Sequence, residues 1–108
     1  MIIMKEVAAR ESHEGHCQAA VLRLLGDYTT LRIIDFLRFG EMRFTELQRA
    51  IGDVNPVTLT SRLKRLETMK IVERTEATLN RQSVTYKLSA RGGKLLPVLR
   101  EIQNFSNG

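Results

Sequence analysis

At 108 residues the chain fits a single globular domain, because one hydrophobic core fills a chain of about 100 to 150 residues. Hydrophobic residues make up 43% of the sequence and charged residues 27%, a composition that excludes a disordered chain without a core. The net charge of +5 is compatible with an acidic polymeric partner, although many proteins without such a partner are also basic.

No segment of the sequence predicts a membrane anchor or a secretory signal. The longest stretches without a formal charge, 15–22 and 54–61, are eight residues long, whereas a membrane-spanning helix needs about 20 apolar residues. The apolar start at 1–4 is shorter than a secretory core of roughly 7 to 15 residues. We therefore expect a cytoplasmic protein. The single cysteine, Cys17, excludes a disulfide within the chain.

The positive charge is concentrated in the second half of the chain. Residues 1–54 carry seven basic and eight acidic side chains, a net charge of −1. Residues 55–81 and 82–108 each carry a net charge of +3. If the partner is an acidic polymer, we expect the second half of the chain to bind it.

Hydrophobic spacing predicts two helices at the start of the domain. The polar stretch 8–15 is typical of a loosely attached segment, and we expect residues 1–15 to form a flexible arm that precedes a domain of residues 16–108. Apolar residues three and four positions apart favour a first helix over 17–25, ended by Gly26. Asp27 is the expected N-cap of a second helix to about Phe39, whose apolar residues cover most faces and place it centrally.

Two short helices joined by a tight turn follow. Thr45 and Gln48 have the spacing of a capping box, which predicts that a third helix opens at Thr45. Gly52–Asp53 marks the turn. Asn55 is a strong N-cap residue, and Pro56 suits the first position of a helix because no intrahelical bond needs its missing N–H. A fourth helix is therefore predicted from Pro56.

The fourth helix has one apolar and one polar face. At about 100° per residue, Leu59, Leu63 and Leu66 form a narrow stripe that we expect to be buried. The opposite face presents Val57, Ser61 and Lys64, with Thr58 and Arg65 on one flank and Thr60 on the other. This helix is therefore expected to pack on the leucines and expose hydroxyl and basic groups.

After the fourth helix the apolar period changes from helical to alternating. Residues 71–75 and 83–88 are predicted strands around a polar hairpin, 76–82. Ser89 is the expected N-cap of a final helix to the C-terminus, which Pro97 should kink. The predicted fold is mainly α with a small β-hairpin wing, which is a winged helix-turn-helix.

This layout predicts binding to double-stranded DNA. The major groove of B-form DNA, about 12 Å wide, admits one α-helix, so small polar residues near the start of the fourth helix can reach base edges. The predicted base-reading residues are Thr58, Ser61 and Arg62. The predicted contacts to the DNA backbone come from Arg43, Thr60, Lys64, Arg65 and Arg81.

From about Cys17 to Phe105, which is nearly the whole chain, the sequence resembles the HxlR-type branch of the winged-helix transcriptional regulators, which are relatives of the MarR type. The segments that carry the resemblance are Cys17, GDYTTLRIIDFL at 26–37, RFTEL at 43–47, VTLTSRLKRLE at 57–67, IVERT at 71–75, VTYKLSARG at 84–92 and LLPVL at 95–99. It implies a regulator, a repressor or an activator, with its recognition helix from Pro56 and its wing at 76–82.

The resemblance also implies a homodimer that uses the first and last helices, and a two-fold dimer with one recognition helix in each of two successive major grooves is expected to bind a pseudo-palindromic operator. The final helix by itself has more apolar residues than one side of a small domain can cover, which indicates burial against a second chain. The expected interface residues are Val21, Leu24, Leu95, Leu99, Ile102 and Phe105.

Two single residues, Cys17 and Lys70, have separate implications, one for sensing and one for the end of the fourth helix. In several family members a cysteine at the place of Cys17 senses oxidants or electrophiles, and a helix N-terminus favours a thiolate. A lone cysteine is more often a small buried hydrophobic residue, so Cys17 is a candidate redox sensor beside that interpretation, and a small-molecule or oxidant effector stays open. Lys70 stands where the family commonly has a glycine, and a left-handed helix cap costs more there.

Other classes of function have less support in the sequence. No phosphate-binding glycine loop or catalytic triad can be placed, so we expect neither an enzyme nor a cofactor. The cluster His13, His16 and Cys17 fits no zinc signature, so we expect no metal. The alternative is a winged-helix protein-interaction module that does not read DNA, since fold does not fix function.

Overall fold

The fold is taken from a computed structural model, which describes residues 17–76 and 84–108. The predicted arm at 1–15 and the hairpin tip with Arg81 lie outside the described residues. The helices are α1 Gln18–Leu25, α2 Tyr28–Leu37, α3 Phe44–Ile51, α4 Pro56–Thr68, α5 Ala90–Gly93 and α6 Leu96–Asn107, and the strands are β1 Met42–Arg43, β2 Val72–Glu76 and β3 Val84–Leu88. In this part of the chain no helix combines the length and apolar character needed to cross a membrane.

Helix α2 lies at the centre of the domain, as predicted. It contacts α1, α3, α4, α6 and β3, and it buries Thr30, Ile33, Ile34 and Leu37. A helix that is buried on most sides needs apolar residues around most of its circumference, which is the pattern of its sequence. It ends at Leu37, two residues before the predicted end.

The predicted start of the third helix is wrong. Helix α3 begins at Phe44, with Arg43 as its N-cap, and the carboxylate of Glu46 accepts a hydrogen bond from the backbone N–H of Arg43 at 2.9 Å. The N-cap therefore lies two residues before Thr45, which the capping-box spacing predicted as the N-cap. The reason is tertiary: β1 ends at Arg43, and its pairing with β3 brings an extended backbone directly to the first helical residue.

The three described strands form one antiparallel sheet in the order β1, β3, β2. Strands β2 and β3 were predicted to within one residue, and they pair with Val72 opposite Leu88 and Glu76 opposite Val84. Strand β1 was not predicted, because two residues show no alternation and owe their extended form to pairing with β3. The mainly helical fold with this small sheet confirms the predicted winged helix-turn-helix.

Helix α4 ends in a left-handed residue that is not glycine. Lys70 has φ +61°, its N–H bonds to the Glu67 carbonyl at 2.9 Å, and the N–H of Ile71 bonds to the Leu66 carbonyl at 2.9 Å. These two bonds form a Schellman cap, which satisfies carbonyl groups at the end of the helix. The left-handed cap expected at Lys70 is present, and a residue with a Cβ adopts it at a cost of about 1 to 2 kcal/mol.

The predicted final helix is two helices. Ser89 caps α5 as predicted, its hydroxyl accepting from the Gly92 N–H at 2.9 Å, but the helix stops at Gly93 and α6 begins at Leu96. Pro97 is the second residue of α6, where its missing N–H breaks no intrahelical bond. The predicted kink at Pro97 is therefore wrong, and the chain instead breaks before it.

Candidate nucleic-acid interface

The turn between α3 and α4 holds the two helices as a helix-turn-helix. Gly52 has φ +111° and Asp53 φ +54°, both left-handed, so the chain reverses direction within a few residues. The side-chain amide of Gln48 donates to the carbonyl of Val54 at 3.0 Å, which ties α3 to the turn. The Asn55 side chain then accepts from the backbone N–H of Val57 at 2.8 Å and caps α4, as predicted.

Helix α4 buries the predicted leucine stripe completely. Leu59, Leu63 and Leu66 are at most 1% exposed, which orients the helix and turns its other face outward. That outward face carries Thr60, Ser61 and Lys64, all exposed, with Val57 at 77% exposure near its start. Together with Pro56 these four residues line a shallow depression at the N-terminal end of the helix. The structure thus presents one continuous surface on α4.

The remaining predicted contact residues of α4 lie on the flanks of this surface. Thr58 and Arg65 are half-buried, and the helical wheel places both next to the exposed row. Among the described residues neither Lys64 nor Arg65 forms an ion pair with an acidic side chain, so both retain an unneutralised positive charge. The surface therefore combines hydroxyl groups with free cationic charge, the two kinds of group that DNA contacts require.

Arg62, predicted to read bases, is engaged within the domain instead. Its Nε lies 2.9 Å from Oδ2 of Asp27, the N-cap of α2, and its side chain is 33% exposed. On the helical wheel Arg62 lies about 40° from Leu66, nearer to the buried stripe than to the outward face. That spacing is the signal that sequence reasoning could have used. We therefore assign Arg62 to positioning α4 against α2.

Asp27 joins the start of α2 to Arg62 of α4. Its carboxylate accepts hydrogen bonds from the N–H of Thr30 at 2.9 Å, from the Thr30 hydroxyl at 2.7 Å and from Arg62. Burial acts to raise the pKa of Asp27, but the bonds from Thr30 and Arg62 outweigh it and hold the pKa below its ordinary value. The carboxylate therefore stays charged at neutral pH, and the contribution of its bonds to stability is lost only as the pH falls through this lowered pKa.

Two of the residues predicted to contact the DNA backbone, Arg43 and Arg81, lie outside α4. Arg43 is exposed at the junction of β1 and α3, and its β1 partner is Thr85 of β3. It is therefore placed between the helix-turn-helix and the sheet. Arg81 falls outside the described residues, so its contact with DNA stays a prediction.

The predicted dimer residues have very different exposures. Leu24 is fully buried in the core of its own chain, so its assignment to a dimer interface is wrong. Val21, Leu95 and Leu99 are half-buried and pack against that same core. Ile102 at 44% and Phe105 at 89% are exposed, and Val98, which sequence reasoning did not single out, joins them at 38%.

Cys17 lies inside the core rather than on the surface. It is the N-cap residue of α1, it is 2% exposed, and it belongs to the same buried cluster as Ala20 and Leu24. His13 and His16 lie outside the described residues. Over 17–76 and 84–108 no three histidine, cysteine or acidic side chains come together as metal ligands.

The sequence and the fold are similar to those of known transcriptional regulators. A model of the family described as HxlR-like helix-turn-helix matches residues 24–108. An uncharacterized HTH-type transcriptional regulator of Halalkalibacterium halodurans, BH0655, is 39% identical over 82 residues, which are 75% of this chain and 73% of that protein.

Solved structures agree with this match. The reduced form of the transcriptional regulator YodB from Bacillus subtilis superposes with a TM-score of 0.72 at 33% identity, covering 84% of this chain and 91% of YodB. The quinone-bound form of YodB superposes with a TM-score of 0.72 at 34% identity, covering 82% and 92%. Cys17 precedes the residues that the family model matches, so that match carries no information about it.

Proposed function

The chain belongs to the HxlR-like helix-turn-helix family of DNA-binding transcriptional regulators, and from this premise we propose that it binds a pseudo-palindromic operator as a homodimer. The observation that carries the proposal is the surface of α4, where exposed Thr60, Ser61 and Lys64 follow a capped helix start. A two-fold dimer would place two such helices in successive major grooves, about 34 to 36 Å apart.

The roles within this surface follow from its geometry. Ser61 and Thr58 lie in the first two turns of α4, where small hydroxyl side chains of a docked helix reach base edges, and we assign them to base reading. Lys64 and Arg65 lie farther along the helix and, with Thr60, Arg43 and Arg81, are assigned to phosphate contacts. Arg62 is left out of the base-reading set because Asp27 holds it.

The apolar surface of α6 supports the homodimer. Val98, Ile102 and Phe105 follow one another at four- and three-residue spacing, which places them on one side of the helix. No residue of α6 is buried within the single chain. A second copy of the same helix across a two-fold axis would cover this apolar side, since a two-fold interface uses the same patch on both chains.

Selection of binding sites from random DNA, at a stated salt concentration, tests the DNA-reading proposal. We expect a palindrome to be enriched. On the best selected site Ser61→Ala should cost roughly 1 to 3 kcal/mol and relax the preference at one position. Lys64→Ala should weaken binding to all sequences alike and reduce the slope of log affinity against log salt by about 1.

A control just beyond the far end of α4 distinguishes loss of a phosphate contact from loss of one positive charge elsewhere in the protein. Lys70→Gly removes one positive charge at the opposite end of α4 and relieves its left-handed backbone, and it should leave the salt slope unchanged. Absence of any enriched sequence, or equal slopes for Lys64→Ala and the unaltered protein, would favour the alternative of a protein-interaction module.

We further propose that an electrophile can act on this regulator through Cys17. Structures of the relative YodB include quinone-bound and diamide-treated forms. In the present chain the thiol is 2% exposed within the core, where no added atoms fit without moving the start of α1. In this addition the thiolate forms an S–C bond as a ring C=C bond of the quinone opens, and the thiol proton and the displaced ring proton end on the two quinone oxygens, which gives a hydroquinone thioether. The bulky adduct would therefore displace α1 and weaken the fold around it.

The response to a quinone tests this role of Cys17. We expect the operator affinity of the unaltered protein to change by at least about tenfold after treatment with benzoquinone, a common size for a coupling between two sites. Because the chain has one cysteine, Cys17→Ser removes every thiol and should abolish the response. Identical responses of the two proteins, or a thiol that mass spectrometry finds unmodified, would refute it.

A further inference from the structure

Val57 is an exposed apolar side chain in the middle of a polar interface. It is the second residue of α4 and is 77% exposed, and it lies on the same helix face as Thr60, Ser61 and Lys64. Single apolar residues on a protein surface are ordinary, so exposure alone would require no explanation. The position of Val57 indicates a function, because the first turn of a docked recognition helix is the part that meets the bases.

We propose that Val57 reads the C5-methyl group of a thymine in each half-site of the operator. This inference rests on the proposed docking of α4 in the major groove. Thymine carries the one methyl group that an unmodified base presents in that groove, and apolar side chains are the groups that contact it. Pro56 and Thr60, which line the same depression, extend the apolar surface around Val57.

The chemistry of valine makes this contact selective. Valine has neither a donor nor an acceptor, so it pairs with neither the O4 acceptor of thymine nor the amino group of cytosine, and the C5-methyl group is the difference that it can recognise. The branched side chain also has essentially one rotamer in a helix and loses little freedom on contact. Thymine should therefore be favoured over cytosine by the contact of its methyl group with Val57.

The surroundings of Val57 favour a nucleic acid over a protein as the occupant. Lys64 lies about two turns along the same face and is without an acidic partner among the described residues. A protein partner would need a broad apolar patch, whereas here the apolar area is limited to Val57 and its neighbours Pro56 and Thr60, with the hydroxyl group of Ser61 and the ammonium group of Lys64 beside it. A base edge flanked by phosphates matches both the small apolar area and the positive charge.

Replacement of thymine by deoxyuridine removes the methyl group and nothing else. In the operator obtained by selection, each thymine of one half-site is replaced in turn and the affinity is measured. For the unaltered protein we expect one position to lose about fourfold, the value of one buried methyl group. Val57→Ser should lose a similar factor on the thymine site and show no further loss with deoxyuridine at that position.

Two further variants make the result specific. Ser61→Ala should weaken binding yet keep the full loss at the same deoxyuridine, because it leaves Val57 in place. Since Val57 is exposed, Val57→Ser should unfold at the temperature of the unaltered protein, and this is measured alongside the affinity.

The outcomes separate this inference from the proposal on which it rests. If Lys64→Ala changes neither affinity nor salt slope, α4 does not dock in the groove and both fail. If Lys64→Ala weakens binding while Val57→Ser remains as sensitive to deoxyuridine as the unaltered protein, the role of Val57 is overturned and the docking of α4 stands. A selected half-site with no preferred thymine would overturn it as well.

Discussion

Gly92→Ala is expected to lower the free energy of unfolding by about 3 kcal/mol, because a Cβ atom there would lie 2.1 Å from the carbonyl oxygen of Ile71. That oxygen is held in place, since it accepts bonds from the Ser89 N–H at 3.0 Å and from the Ser89 hydroxyl at 3.1 Å. Gly92 thus allows α5 to pack directly on the chain between α4 and β2.

The matched control is the next residue. A Cβ atom at Gly93 would meet no other atom within 4 Å, and the residue is helical, so Gly93→Ala should stabilise the protein by about 0.4 to 1 kcal/mol. Thermal or urea unfolding of the two variants measures the contrast. For a chain of this size the melting temperature of the Gly92→Ala variant should be roughly 12 to 24 °C below that of the unaltered protein. Equal melting temperatures for the two variants would show that α5 does not pack as described.

Loss of the α6 contact is expected to reduce operator affinity by about 100-fold or more. Ile102→Glu with Phe105→Glu places two charges on the exposed apolar side of α6, and like charges would then face each other across the two-fold axis. A monomer holds only one half-site, so the second half-site no longer contributes through its high effective concentration. Sedimentation or light scattering should find a monomer, and DNA titration the weaker binding.

A second double variant controls for the added charge. Asn104→Glu with Asn107→Glu adds the same two charges to the same helix but away from Val98, Ile102 and Phe105 on the helical wheel. It should remain a dimer and keep its operator affinity within a few-fold. If the variant at Ile102 and Phe105 stays dimeric, another surface joins the two chains and the assignment of α6 must be abandoned.

Much of the fold could be predicted because its signals are local. Asp27, Asn55 and Ser89 cap their helices through bonds to backbone N–H groups two or three residues away, and such spacings are legible in a sequence. The leucine stripe of α4 is equally local, since helical geometry alone places Leu59, Leu63 and Leu66 on one side.

The prediction failed where distant residues determine local structure. Strand β1 and the start of α3 depend on pairing with β3, more than 40 residues along the chain. The break between α5 and α6 follows from packing of Gly92 on Ile71, and the proline that was expected to kink one helix instead lies at the start of another. A local pattern contains no information about such contacts.

The candidate site shows the same division. Its exposed row on α4 followed from the helical wheel, whereas the fate of Arg62 depended on Asp27, 35 residues away. An arginine on the flank of a helix can face DNA or an internal carboxylate, and only the position of α2 decides between them. The position of Leu24 likewise depends on tertiary packing, because this residue, predicted for the dimer surface, is buried in the core of its own chain.

The net charge of +5 and its concentration in the second half were determined by the sequence alone, as were the caps and the helical faces. What only the tertiary structure decided is which of those charges stay unpaired and which apolar groups stay uncovered. Lys64 and Val57 remain exposed on one surface while Arg62 and Leu24 are used internally. The physical reason is that exposure is a property of packed neighbours, which are brought together from distant parts of the chain.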